Sequence, residues 1–128
     1  MMPLPAHLPP VRLSPNAEIV LAKRYLRKGE TGEPIETPTE MFWRVASTIA
    51  AEEAKYTASP FSVDELALTF YTLMTTFEFL PNSPTLMNAG TPLGQLAACF
   101  VLPVGDSIND IFDAVKFAAL ILKSGGGT

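Results

Sequence analysis

One cysteine and one histidine stand in 128 residues. A single thiol cannot form an internal disulfide framework, and it cannot by itself build a zinc site, so no metal is expected. That thiol, Cys99, has no histidine near it in sequence for an acid–base pair. Its isolation fits a reducing, cytoplasmic compartment. Long apolar runs are missing too. No stretch approaches the roughly 20 residues that span a bilayer, so no membrane partner is expected. Prolines stand where a secretory leader would carry a basic segment and an apolar core. Nine basic residues against 13 acidic ones leave a net charge of −4, which argues against a basic surface for nucleic acid.

Charge is also scarce in the second half. From Leu66 to Thr128 the only charged residues are Glu78, Asp106, Asp110, Asp113, Lys116 and Lys123. A free-standing domain usually covers itself with more charge, so this half is dressed for burial against something else. The last residues, Lys123 to Thr128 (KSGGGT), read as the inside of a functional loop. The expectation is the front part of a longer protein.

What is present reads first as helices. Residues 1–15 carry several prolines and form an extended arm. Ser14 or Asn16 caps a helix to about Lys28, with Ile19, Ala22 and Leu26 on one face. Its cluster of Lys23, Arg24, Arg27 and Lys28 is an ordinary solvated surface near a helix C-terminus. Thr37, Pro38 and Glu40 make a capping box, and Phe42, Val45 and Ile49 give the second helix its stripe, with Trp43 at the border. Ser62 and Glu65 repeat the box for a third helix with Leu66, Phe70, Leu73 and Phe77 inward. It ends near Phe79, ahead of Pro81. Residues 16–80 are thus a helical domain.

Residues 81–128 hold the chemistry. Pro81 to Thr85 reads as a rigid irregular segment, rich in short hydrogen-bonding side chains that close turns or touch a small polar or phosphorylated ligand. Gln95 to Leu102 reads as a strand covered on both faces. A cysteine in such a run is ordinarily an inert buried thiol. Asp106 or Ser107 starts the last helix, and Ser107 with Asp110 can share its cap. Ile108, Ile111, Phe112, Val115, Ala119 and Leu122 make that helix apolar all round, so one face should meet a sheet of this chain and the other a second subunit. Lys123 to Thr128 has a phosphate-loop composition without P-loop spacing.

These stretches together resemble a known family. PNSPTLMNAG at 81–90, GQLAACF at 94–100, Asp106-Ser-Ile and KSGGGT at 123–128 resemble the large catalytic subunit of ribonucleotide reductase, and most of all its adenosylcobalamin-dependent class. The resemblance implies an α+β fragment, mainly helical. It would be the N-terminal helical domain plus the first strand and helix of an otherwise missing ten-stranded α/β barrel.

It also implies roles. Cys99 would be one of two thiols that reduce the ribose and become a disulfide, and the radical-bearing thiol would lie elsewhere. Ser83 would contact the substrate phosphate. At Ala98 many relatives have serine, so any substrate role there loses its hydroxyl. Asp106, and more weakly Ser107, would contact a deoxynucleoside triphosphate effector. The complete enzyme would use adenosylcobalamin, not bound by this stretch alone, and reduce ribonucleoside di- or triphosphates. A thioredoxin-like protein would supply reductant to a homodimer. The competing reading is a non-enzymatic helical module that dimerises through its last helix.

Overall fold

The computed structural model describes residues 2–128. Five helices follow one another: α1 (Pro15–Arg24), α2 (Pro38–Ala50), α3 (Val63–Thr75), α4 (Ser83–Asn88) and α5 (Ile108–Lys123), with a 3-10 turn at Ala51–Lys55. Four of the five starts follow the caps read above. Ser14, rather than Asn16, accepts from Ala17 N; Thr37 and Ser62 each close a full capping box; Ser107 caps α5.

The boxes carry a pH dependence. Bonds from the Thr37 backbone and hydroxyl hold the Glu40 carboxyl below its usual 4.5. The Ser62 hydroxyl and backbone do the same for Glu65. A depressed folded-state pKa adds stability that is complete above the ordinary glutamate value and fades as pH falls through the folded one. Urea unfolding should therefore separate the wild type from a Glu40→Gln/Glu65→Gln variant at pH 7, and the gap should close in acid. A gap unchanged at pH 3 would refute the assignment.

α1 stops at Arg24, short of Lys28. The turn around Gly32 (φ 88°) folds the chain back, bridging Lys28 to Pro34, with Ile35 N donating to Arg27 O at 2.9 Å. That pairing removes residues 27–28 from the helix. Ile19 is 53% exposed, while Leu26, beyond the helix end, is buried.

The core lies between α2 and α3. Met41, Phe42, Val45 and Ala46 of α2 are buried against Ala67, Tyr71 and Met74 of α3. Trp43 is inside rather than at the border, 3% exposed. Its ring meets Tyr71 edge-on at 6.1 Å, and its Nε1 donates to Met2 O and Pro3 O. Tyr71 Oη donates to Pro9 O at 2.6 Å, and burial raises the phenol's pKa. The N-terminal arm is thus tied to the core by two aromatic donors that would otherwise be buried unpaired.

The inward face of α3 is rotated by one residue from the expected stripe. Ala67, with no bulk, faces α2, and Leu66 and Phe70 flank the contact. Phe77 falls outside the helix at φ 61°, 53% exposed. It occupies the left-handed position of a Schellman turn, with Phe77 N donating to Met74 O and Glu78 N to Leu73 O. Glycine belongs there. Phe77→Gly should raise stability by about 1 kcal/mol, read by thermal unfolding, and a loss would argue that the ring is needed.

Two expectations for the second half are corrected. Part of the 81–85 stretch is helical, not irregular: α4 starts at Ser83 behind its extended cap Asn82, whose Oδ1 accepts from Thr85 N, and Pro84 sits in the first turn, where its missing N–H costs nothing. The strand at 95–102 is absent. Among the described residues the only β pairings are two isolated bridges, Lys28 with Pro34 and Cys99 with Gly127. A strand exists only through a neighbour, and beyond Gly127 this run has none; Val101 is 97% exposed. The described fold is therefore all-helical, not α+β, and it contains no first strand of a barrel.

No residue of α5 is buried, and Ile108, Phe112, Val115 and Leu122 all face solvent. The sheet expected beneath one of its faces is missing among the described residues. No helix here is long and apolar enough to cross a membrane.

Candidate functional site

The residues singled out above fall in two places. The first joins three pieces of backbone. Phe100 N donates to Gly127 O at 2.9 Å and Gly127 N to Ala98 O at 2.7 Å, so Cys99 lies directly beside the glycine-rich loop. Cys99 is free and exposed, which corrects the expectation that it is buried. Ala98 contributes its carbonyl to the bridge and no side-chain polar group.

The glycines permit this approach. Gly125 has φ 89°, a conformation L side chains rarely adopt. At Gly126 a methyl would lie 2.8 Å from Phe100 Cε2 and 3.0 Å from Ile121 Cγ2. A methyl there would press on the Phe100 ring and on Ile121, so the bare Gly126 eases the approach of the loop to the Cys99 segment.

The third piece is α4, which begins at Ser83. The Ser83 and Tyr25 hydroxyls share a hydrogen bond of 2.9 Å. Thr85 Oγ1 donates to Leu96 O at 3.2 Å. Asn88 Nδ2 donates both to Gln95 O at 2.8 Å and to Ser124 O at 3.1 Å. The helix bearing Ser83 is thereby strapped to the segment bearing Cys99.

Asp106 and Ser107 lie elsewhere, at the start of α5. The helix has 16 residues, so its ends stand about 24 Å apart at 1.5 Å per residue. Ser107 Oγ accepts from Asp110 N and donates to Asp110 Oδ2 at 2.6 Å, which commits that hydroxyl to the cap. Asp106 is exposed, one position before the cap, and takes no part in it.

Beneath the site is an ion pair that escaped the sequence reading. Arg44 is 1% exposed, and its Nε and Nη2 donate to the two carboxylate oxygens of Glu36 at 2.9 and 2.7 Å. Its remaining donors reach Ala89 O and, at 3.2 Å, Leu86 O at the end of α4. Glu36 Oε1 also accepts from Arg27 N at 2.9 Å. One hint was legible: Arg44 is the only charge between Met41 and Ile49.

No group of His, Cys, Asp and Glu among the described residues could hold a metal. A cavity of about 270 Å³ between α2 and α3 is lined by side chains such as Ile49, Phe70 and Leu73 and presents no polar surface. It offers neither acid nor base. Its volume falls below the roughly 300 Å³ at which drug-sized pockets begin, and a corrin is larger still, so it does not fit a cobalamin.

Residues 11–94 match the family model for the ribonucleotide reductase all-alpha domain. The chain is similar to the vitamin B12-dependent ribonucleoside-diphosphate reductase of Thermoplasma acidophilum, at 41% identity over 92% of this chain and 22% of that protein. The protein of the same description from Mycobacterium tuberculosis (strain CDC 1551) is 48% identical, over 92% of this chain and 17% of its own length. The ribonucleoside-diphosphate reductase subunit alpha of Helicobacter pylori (strain J99) is 38% identical over 84% of this chain and 13% of its own. The chain thus spans about a fifth or less of the curated relatives it matches. On the match across residues 11–94, this chain belongs to the ribonucleotide reductase family.

Proposed function

We propose that the chain forms part of the catalytic subunit of a vitamin B12-dependent ribonucleotide reductase. Residues 1–15 act as an arm, 16–80 as a helical platform, and 81–128 carry the reductive and effector residues. The observation that carries this reading is the placement of Cys99: a free, exposed thiol bonded through its neighbours to Gly127 and strapped to the helix that starts at Ser83.

In this reading Cys99 is one half of a dithiol. Its partner lies outside the chain, which has a single cysteine. The two thiols give up two electrons and two protons and become a disulfide. The ribose 2′-hydroxyl leaves as water, and hydrogen takes its place. Exchange with an external dithiol restores the pair. Ser83 holds substrate phosphate through its hydroxyl, which Tyr25 orients. Asp106, and more weakly Ser107, whose hydroxyl the cap already uses, meets a deoxynucleoside triphosphate effector, a helix length from Cys99.

Adenosylcobalamin supplies the radical when bound, at a site outside these residues. The exposed apolar face of α5 supports a homodimer. It also favours the alternative of a non-enzymatic dimerisation module. Activity separates the two. The longest natural polypeptide carrying this sequence, given adenosylcobalamin, a dithiol and a ribonucleoside di- or triphosphate, should form deoxyribonucleotide, and the 128-residue chain alone should not. Turnover by the chain alone, or none by the longer polypeptide, would overturn the reading.

A further inference from the structure

Asn88 is the last residue of α4 and is 7% exposed. Both hydrogens of its amide nitrogen are spent on main-chain carbonyls of two different segments, Gln95 and Ser124. Ser124 caps the C-terminus of α5, where its Oγ donates to Ile121 O and accepts from Gln95 Nε2 at 3.3 Å. Four residues after Gln95 comes Cys99, and three after Ser124 comes Gly127, where the two segments meet again. The bonds close a ring: Asn88 to Gln95, along the chain to Cys99, across to Gly127, back to Ser124 and to Asn88.

We infer that Asn88 is the positioning residue of this site, the side chain that donates to the main chain of both the cysteine segment and the glycine-rich loop and holds them in register. The bridge itself is two backbone bonds beside an exposed residue, each worth only about 0.5–1.5 kcal/mol net. Thr85 grips the cysteine segment alone, and Gln95 reaches the loop only through one long side-chain bond. Among uncharged side chains, only a primary amide carries two hydrogens on one nitrogen and can donate to two carbonyls at once. An aspartate offers no donor when ionised, and one when protonated.

The ring is a property of the chain and does not depend on what Cys99 reduces, although its importance for catalysis rests on the reading above. The test is amide hydrogen exchange on the longest natural polypeptide carrying this sequence, read as protection factors at Phe100 and Gly127, the two donors of the bridge. Asn88→Ala should lower both at least about tenfold, the equivalent of one or two net hydrogen bonds. Amides of α2 and α3, such as Val45 and Tyr71, should change less than about twofold. Asn88→Asp should behave like Asn88→Ala at pH 7 and recover part of the protection at Phe100 and Gly127 in acid, as the new carboxyl takes up a proton and donates. A merely space-filling side chain would give no such recovery. Unchanged protection at Phe100 and Gly127 overturns the inference. So does a loss shared equally by α2 and α3, or outright unfolding of either variant, because Asn88 would then be an ordinary core residue. A bridge that loosens as expected in a polypeptide with no reductase activity keeps the clamp and removes the functional reading.

Discussion

Arg44→Met is expected to cost the chain about 3–5 kcal/mol, the range for breaking a buried ion pair by removing one partner. The geometry favours the upper end. Glu36 would keep its charge in a place where its side chain is only 7% exposed, and the carbonyls of Leu86 and Ala89 would lose their donors. A small domain holds about 5–15 kcal/mol in all, so the variant should be near the edge of folding. Urea unfolding gives the number. Glu36→Gln/Arg44→Met should recover part of the loss, because no charge is then stranded, but not all of it, because the α4 carbonyls remain unpaired. A single-variant loss below about 1 kcal/mol would mean that water reaches Glu36 and that the pair is not truly buried.

Cys99→Ser should do the opposite: almost nothing to the fold and nearly everything to turnover. The side chain is exposed, so stability should move by no more than about 0.5 kcal/mol. In the longer polypeptide, turnover driven by an external dithiol should fall at least about a thousandfold, the scale on which losing a group that reacts covalently is felt. Serine cannot give up electrons to form a disulfide. Normal turnover in that variant would remove Cys99 from the chemistry, and the role proposed for Ser83 with it.

The two substitutions mark where reading the sequence succeeded and where it stopped. Cys99 could be singled out because it is the only thiol and stands in a motif of distinctive wording, and its exposure then came from the structure. Arg44 gave only a faint signal. Its partners are Glu36, eight residues earlier and outside the helix, and two carbonyls more than 40 positions later. No periodicity contains such a pairing. Asn88 was legible only as one of several short polar residues in a turn-like stretch, and nothing local says that its amide spans two segments.

The errors have the same origin. Leu66, Phe70, Leu73 and Phe77 make a sound helical stripe, yet α3 turned by one residue to bring Ala67 against α2 and the Tyr71 hydroxyl onto Pro9. Residues 95–102 have the apolar content of a covered strand, but content does not supply a neighbour.

The residues alone determined helix starts at Thr37 and Ser62 and narrowed two others to Ser14 or Asn16 and to Asp106 or Ser107, because a cap is a bond between a side chain and an amide two or three positions away. Tertiary structure decided which faces turned inward, that Arg44 is buried while α5 stays bare, and that the run around Cys99 pairs with Gly127 alone. Each of those outcomes needs a partner distant along the chain, and the free energy that selects it exists only once the two are in contact.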